Sequence, residues 1–89
     1  MYVVRLTPGA QRTLREHLSP AAAAAVVELL DGALKEAPHR IGRSLDEPFQ
    51  GEYASRRGVY RVMYRIDDDA MIISVIRIAH RRDAYRRLD

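Results

Sequence analysis

Arginine, histidine and tyrosine gather at two points in the second half of this chain. Residues 58–66 read Gly-Val-Tyr-Arg-Val-Met-Tyr-Arg-Ile, which places Arg61 and Arg65 between apolar residues. Residues 80–85 then read His-Arg-Arg-Asp-Ala-Tyr. Two neighbouring strands built in this way would bring several cations to one point, and fixed cations are what the charge on a reacting phosphate requires.

Length and composition limit the class of protein. With 89 residues the chain has room for one domain, which we assign to residues 1–89. It has no cysteine, so neither disulfides nor thiolate zinc sites are predicted. No apolar run approaches the roughly 20 residues needed to span a bilayer, and the first residues do not resemble a signal peptide. We therefore expect a soluble, cytoplasmic protein with no membrane contact.

Positive charge is concentrated toward the C-terminus. Residues 1–55 carry six Lys or Arg against seven Asp or Glu, whereas residues 56–89 carry nine Arg against five Asp. Lys35 is the one lysine among the fifteen basic residues. A high-GC genome accounts for arginine in place of lysine but not for this clustering. The basic half predicts a polyanionic partner, either nucleic acid or an acidic protein segment.

The first half of the chain predicts a strand and two helices. Residues 2–6 are mostly apolar and β-branched, as in a short strand. Thr7-Pro8 and Ser19-Pro20 each combine an N-cap residue with proline at the first helical position. We predict that the first helix ends near residue 17 or 18 and that the second, which is amphipathic, ends at Pro38. Their short connection favours an antiparallel hairpin.

The second half predicts an antiparallel meander. Residues 38–50 contain two prolines and a glycine and are assigned to a loop. Strands are predicted at residues 52–57, 59–66 and 71–79, with a tight turn at Asp67-Asp68-Asp69. The last strand is apolar on both faces and should be central. Residues 80–89 predict a short helical segment around Tyr85. The expected fold class is α+β, in the order β-α-α-β-β-β.

Alternation along the strand at 59–66 singles out Arg61. Tyr60 and Val62 should face the helices, so Arg61 should project from the opposite, open face. Many strand arginines are merely solvated, which is the alternative interpretation. If the last two strands pair, register brings His80 and Arg81 close to Arg61, and histidine can exchange a proton near neutral pH.

Among the other polar residues, some have two possible roles and some are assigned no role. Tyr85 could stack on a base or anchor the tail on the core. Arg56 and Arg57 add positive charge beside Arg61, whereas His17 and His39 are assigned no role. Residues 67–69 are interpreted as a turn, and no metal site is predicted.

The element order and two motifs resemble the RelE/ParE superfamily of toxins from bacterial type II toxin–antitoxin modules. The motifs are Gly58-x-Tyr60-Arg61-x-x-Tyr64-Arg65-Ile66 and His80-Arg81-x-Asp83-x-Tyr85. The resemblance covers nearly the whole chain and is closest to the RelE branch. It implies a ribosome-dependent endoribonuclease that cuts mRNA in the A site by 2′-hydroxyl attack, with no metal or cofactor.

The resemblance also implies roles for individual residues. Arg61 would stabilise the charge on the phosphorane, Arg81 would lie near the scissile phosphate, and Tyr85 would stack on or orient the nucleotide. Further RNA contacts are expected from four arginines, Arg56, Arg57, Arg65 and Arg82.

This chain differs from the family pattern at the residues expected to supply the general base. Lysines that precede the motif strand in the best-known member are replaced by Glu52 and Ala54 in an ungapped comparison. Arginine is a poor base because it keeps its proton. Our hypothesis is that Glu52 acts as the base instead, or that His80 acts as acid or base.

Two other functions remain open for this chain. A ParE-like toxin would block DNA gyrase by binding, and a silent homologue would only bind its antitoxin. In each case the implied partner is a cognate antitoxin that covers the basic face. Ribosome and mRNA are further partners of a nuclease, and operator DNA would be bound only through the antitoxin.

Overall fold

The computed structural model describes residues 1–85, and these form a mixed sheet with helices against one face. The helices are α1 (Pro8–Arg12), which continues into a π-helical turn (Thr13–His17), α2 (Pro20–Asp31), α3 (Ala33–Glu36) and α4 (Pro38–Ile41). The strands are β1 (Val3–Leu6), β2 (Arg43–Ser44), β3 (Tyr53–Arg57), β4 (Tyr60–Asp67) and β5 (Ile72–His80). The predicted α+β class is confirmed.

The five strands lie in the order β1-β5-β4-β3-β2. β1 runs parallel to β5, and every other neighbouring pair is antiparallel. β5 therefore has a neighbour on each side, as predicted from its apolar sequence. β2 is the edge strand beside β3, and it carries Arg43.

Both predicted helix starts are present. The hydroxyl oxygens of Thr7 and Ser19 accept hydrogen bonds from the backbone N–H groups of Ala10 and Ala22, at 3.2 and 3.1 Å. The Thr7 hydroxyl also donates to the carbonyl of Ile76 at 3.0 Å. Ile76 is the extra residue at the register shift between β4 and β5. The start of α1 is thus fixed to an irregular point of the sheet.

The predicted end of the second helix is wrong. α2 stops at Asp31 because Gly32 leaves the helical conformation, with φ −114° and ψ −104°. A single turn, α3, follows, and Pro38 then begins α4 instead of ending a helix. Proline fits the first position of a helix as well as the position after one, so its presence does not distinguish the two. The segment assigned to a loop, residues 38–50, accordingly contains α4 and β2.

The main core lies between the helices and one face of the sheet. Its fully buried members include Val26 and Leu34 from the helices and Val62, Tyr64 and Ile73 from the strands. This face was predicted from the alternation in β4.

The opposite face is not fully open as predicted. A second cluster covers part of it, formed by Ala54, Met63 and Ala84 with the partly buried Leu45, Phe49 and Ala79. The cluster exists because residues 45–49 and the C-terminal segment fold back over the sheet.

The C-terminal segment from residue 81 to residue 85 consists of turns, so the predicted helical segment is not formed there. The remainder of that prediction lies outside the described residues. The Nη2 group of Arg77 donates to the carbonyl of Asp83 at 2.6 Å, and the Asp83 N–H donates to the carbonyl of His80 at 2.8 Å. These bonds hold the segment against the sheet. Within residues 1–85, every helix is too short or too polar to cross a membrane.

Candidate functional site

A cleft opens on the face of the sheet that lies away from the helices. It encloses about 520 Å³ and is lined by Ile41, Gly42, Arg43, Ala54, Arg56, Arg61 and Tyr85. We call it the arginine cleft. Among residues 1–85 the lining includes three arginines and no carboxylate, so this part of the cleft is positively charged.

Strand register explains why the arginines converge. Arg56 of β3 is directly opposite Arg61 of β4, and Arg43 of β2 is directly opposite Ala54 of β3. Directly opposite residues project from the same face, with Cβ atoms about 5 Å apart. Ala54 lies two residues before Arg56 and so projects from that face as well. All three guanidinium groups therefore leave the same side of the sheet.

The positive charge is not neutralised within the described residues. In that part of the chain, neither Arg43 nor Arg56 has a hydrogen bond or ion pair from its side chain. The half-buried Arg61 donates from Nη1 to the carbonyl of Tyr60 at 3.3 Å, which adds no negative charge. Like charges directly opposite on two strands are unfavourable. An anion bound between Arg56 and Arg61 would relieve the repulsion.

Tyr85 forms the aromatic rim of the cleft. Its side chain is 42% exposed, and its ring centroid lies 6.0 Å from that of Phe49 at an interplanar angle of 66°. Phe49 in turn packs on the second cluster. Tyr85 is therefore held against the fold through Phe49 and also lines the cleft.

Arg81 lies at the start of the segment that ends at Tyr85. Its backbone N–H donates to the carbonyl of Val59 at 2.6 Å, and its side chain is exposed. Ala79, two residues earlier, is directly opposite Arg61. Arg81 does not line the cleft, so its contact with a phosphate stays a prediction.

Glu52 lies at the wrong end of the sheet to act on a phosphate at Arg61. Its Oε2 atom is 3.3 Å from Nη2 of Arg65. Arg65 is four residues beyond Arg61 along β4, which corresponds to about 13 Å. Arg65 itself lines a shallow depression beside the acidic turn. The structure therefore separates Glu52 and Arg65 from the arginine cleft.

The predicted convergence of His80 with Arg61 is wrong. His80 is directly opposite Tyr60, and the two rings meet at 5.9 Å with an interplanar angle of 76°. Both side chains belong to the helix-covered face, because alternation along β4 sends Tyr60 and Arg61 to opposite sides. The Nδ1 atom of His80 accepts a hydrogen bond from the Arg82 N–H at 3.2 Å.

Two of the arginines expected to bind RNA also lie outside the cleft. Arg57 is directly opposite Tyr60, so it too projects from the helix-covered face. Arg82 is exposed in the turn that follows β5. Neighbouring residues of a strand project from opposite faces, because the side-chain period of a strand is two. Closeness along the chain therefore does not place Arg57 on the face that carries Arg56.

A polar network supports the wall of the cleft formed by Ile41 and Gly42. The Tyr64 hydroxyl is buried and donates to the carbonyl of Pro38, the first residue of α4, at 2.7 Å. Burial raises the pKa of Tyr64 to about 12. A Cβ atom at position 42 would overlap this hydroxyl, so Gly42 is required for space.

α4 is also tied to the turn between β4 and β5. The Nε2 atom of His39 lies 2.9 and 3.0 Å from the two carboxylate oxygens of Asp68, and the Tyr2 hydroxyl donates to the same carboxylate at 2.5 Å. These hydrogen bonds, that of His39 first, hold the pKa of Asp68 below its usual value. His39, which was assigned no role from the sequence, therefore has a structural one. Among the described residues, no three His, Asp or Glu side chains are grouped as a metal ion would require.

Comparison with known proteins identifies the family. The family model described as "ParE toxin of type II toxin-antitoxin system, parDE" matches residues 4–85. The chain belongs to the RelE/ParE family of toxins. It is 44% identical over 86 residues to the toxin RelG of Mycobacterium tuberculosis, an alignment that covers 97% of this chain and 98% of RelG. Toxin RelE of the same organism is 42% identical over 85 residues, covering 96% of this chain and 87% of that toxin.

Solved structures show the same fold. The toxin is similar to a chain of a RelBE toxin–antitoxin complex from M. tuberculosis, with a TM-score of 0.84 and 42% identity over 89% of this chain and 96% of that one. A chain of the E. coli RelBE complex matches with a TM-score of 0.73 at 18% identity, covering 90% of this chain and 96% of that chain. At that level of identity the similarity concerns the fold alone.

Sequence reasoning missed two residues of the toxin's cleft region. Arg43 was placed in a loop, because a two-residue strand leaves no periodicity to detect. Phe49 was not considered, although it is the one phenylalanine of the chain and lies in a segment that is otherwise polar. An isolated aromatic residue in such a segment is a signal that it packs on something, and here it packs beside Tyr85.

Proposed function

We propose that this toxin is an endoribonuclease that cleaves mRNA in the ribosomal A site. The observation that carries the proposal is the pair of directly opposite arginines, Arg56 and Arg61, in a cleft to which residues 1–85 contribute no carboxylate. Such a pair destabilises the free protein and suits a ligand with concentrated negative charge. Tyr85 at the rim adds the aromatic surface on which unstacked bases of single-stranded RNA bind.

The proposed reaction begins when the ribose 2′-hydroxyl attacks its own 3′-phosphate. The bond to the 5′ oxygen of the next nucleotide then breaks, which leaves a 2′,3′-cyclic phosphate and a free 5′-hydroxyl. Negative charge builds on the non-bridging oxygens in the transition state. Arg61, half-buried and fixed in β4, is the side chain assigned to stabilise it, and Arg56 binds the backbone beside it.

Proton transfer is assigned a smaller share of the catalysis. Neither Glu52 nor His80 lines the cleft, and the arginines that do keep their protons, so the described lining holds no carboxylate or imidazole to act as general base. Charge stabilisation and positioning of the codon therefore supply most of the rate in this mechanism. Correct positioning alone can raise the reaction rate by many orders of magnitude, and here the ribosome would supply it.

Because translating ribosomes are the target, we propose that the toxin acts in the cytoplasm.

A cognate antitoxin is the expected protein partner. The M. tuberculosis structure that is 42% identical to this chain is a toxin–antitoxin complex, which supports such a partner. We propose that an acidic segment of the antitoxin covers the arginine cleft and that operator DNA is bound only through the antitoxin. Because the contact would be between charges, its affinity should fall as salt concentration rises.

The test is to express the toxin from a tight inducible promoter and map mRNA 5′ ends. We expect cuts within translated codons, and we expect their loss in an Arg56→Gln, Arg61→Gln double variant. Arg5→Gln is the matched control, because Arg5 is an exposed strand arginine that faces the uncharged Ser74. Cuts in the control should equal those in the parent.

The same experiment separates the competing functions. The matching family model is described by the name ParE, so gyrase binding is the second candidate. Growth arrest with intact mRNA and relaxed or broken DNA would replace the nuclease by a gyrase inhibitor. Absence of arrest would leave a domain that only binds its antitoxin.

A further inference from the structure

We propose that Arg43 is an additional phosphate-binding residue, which contacts the RNA backbone next to the phosphate held by Arg56 and Arg61. The inference rests on the proposed function and extends it to a residue outside both sequence motifs. Arg43 lies 18 residues before Arg61 in the chain, so no local motif connects the two. The strand register and the lining of the cleft connect them instead.

Pairing with β3 fixes the direction of the Arg43 side chain. Arg43 is directly opposite Ala54, and Ser44 is directly opposite Tyr53. The backbone N–H of Leu45 extends this pairing by donating to the carbonyl of Glu52 at 2.9 Å. Tyr53 faces the helices and stacks on the buried Tyr64. Arg43 must therefore project from the face that carries the arginine cleft.

The Arg43 guanidinium is available to a ligand. Its side chain is exposed and has no hydrogen-bond or ion-pair partner among residues 1–85. The residue opposite it, Ala54, is a buried methyl group that fills little of the cleft. Of the two residues of β3 that line the cleft between Arg43 and Arg61, Ala54 is apolar and Arg56 is itself a cation, so neither would form an ion pair with Arg43.

The spread of the three cations indicates the class of ligand. β2 and β4 lie two strand spacings apart, which is about 10 Å, with Arg56 on the strand between them. A single small anion would engage the Arg56–Arg61 pair and leave Arg43 free. A single-stranded nucleic acid that crosses the strands would present successive phosphates to Arg43, Arg56 and Arg61. We therefore assign the cleft to a run of phosphates.

A residue that binds a neighbouring phosphate should act on binding and not on the chemical step. Loss of the contact should raise KM and leave kcat unchanged, because the contact is the same in the ground state and the transition state. It should also lower the salt dependence of RNA binding, since each neutralised phosphate of a single strand contributes about 0.7 to the slope of log K against log salt.

The experiment compares Arg43→Gln with Arg40→Gln, which makes the same charge change. Arg40 is exposed on α4 and does not line the cleft. Binding of a short single-stranded RNA with 2′-O-methyl groups is followed by fluorescence anisotropy over a range of salt concentrations. Cleavage on programmed ribosomes is measured in parallel for kcat and KM. Arg43→Lys tests whether charge alone restores binding.

We expect Arg43→Gln to weaken binding about tenfold at low salt, as for a lost charged hydrogen bond, and to reduce the slope by about 0.7. Arg40→Gln should match the parent, and Arg43→Lys should recover most of the affinity. Equal slopes for the Arg43 and Arg40 variants would overturn the inference, as would a fall in kcat at unchanged KM. If neither the parent nor any variant cleaves mRNA but Arg43→Gln still has a smaller salt dependence of RNA binding, the nuclease proposal fails and the phosphate contact stands.

Discussion

Replacing Arg56 by glutamine should stabilise this toxin while it weakens RNA binding. In the free protein Arg56 and Arg61 face each other across β3 and β4, and none of the lining residues in the described part of the chain carries a compensating negative charge. Glutamine keeps the length and polarity of the side chain but removes one of the two opposed charges. The substitution should therefore remove an unfavourable interaction that the native fold contains.

The magnitude follows from the geometry of the pair. Favourable cross-strand pairs contribute about 0.2–1 kcal/mol and like charges directly opposite are unfavourable, so we take a cost of the same size for the arginine pair. For a domain of this size that corresponds to a rise in Tm of roughly 1–8 °C. The half-burial of Arg61 favours the upper part of the range, since screening by solvent is weaker there. The gain should shrink in 1 M salt, where the Debye length is about 3 Å.

The assay is urea unfolding of the parent and of Arg56→Gln at 20 mM and 1 M salt. Arg5→Gln is again the control, because Arg5 faces Ser74 and has no opposed charge. We expect a higher midpoint for Arg56→Gln at low salt, little difference at high salt, and no change for Arg5→Gln. Equal or lower stability of Arg56→Gln at low salt would refute the claim that the cleft holds uncompensated charge.

Three further predictions concern the surroundings of the cleft. Glu52→Gln should leave cleavage unchanged in an assay on programmed ribosomes and cost at most about 1 kcal/mol of stability, because Glu52 contributes to one ion pair at the far end of β4. Gly42→Ala should destabilise the fold by about 1–3 kcal/mol in urea unfolding, because the added methyl overlaps the Tyr64 hydroxyl. Burial raises the pKa of Tyr64 to about 12, whereas a tyrosine in the unfolded chain titrates near 10. The unfolded state therefore loses this proton first, so the Tyr64 contribution to stability is complete below about pH 10 and declines between about pH 10 and 12. Tyr64→Phe should lack that decline and, with the carbonyl of Pro38 left without its donor, be less stable at neutral pH by about 1–3 kcal/mol.

Each of these predictions has a contrary result. A large fall in cleavage by Glu52→Gln would return Glu52 to the reaction, and Arg61→Gln provides the comparison for such a fall. Unchanged stability of Gly42→Ala would show that Tyr64 has another position available. The same decline between pH 10 and 12 in Tyr64→Phe would assign the titration to a different group.

The fold was predictable wherever the sequence carries a periodic signal. Alternation in β4 identified the core face, which places Val62 and Tyr64 against the helices, and the Thr7 and Ser19 caps placed two helix starts. The elements that were missed, α4 and β2, have four and two residues. Elements this short depend on tertiary contacts, such as the bond from Tyr64 to Pro38, that no local pattern contains.

The candidate site was predictable only in part, for a similar reason. Arg61, Arg56 and Tyr85 were identified and do line one cleft. His80 was placed beside Arg61 because the two lie close along paired strands, but directly opposite pairs alternate between faces, and His80 pairs with Tyr60. Arg43 comes from an edge strand, so only the three-dimensional register connects it with the site.

The most direct test of the nuclease proposal is cleavage of mRNA on purified ribosomes that hold a defined codon in the A site. The parent toxin should cut within that codon and leave a 2′,3′-cyclic phosphate and a 5′-hydroxyl, and the Arg56→Gln, Arg61→Gln variant should lose the cut. Uncut mRNA with the folded parent, or equal cutting by the double variant, would contradict the assignment of the chemistry to the arginine cleft.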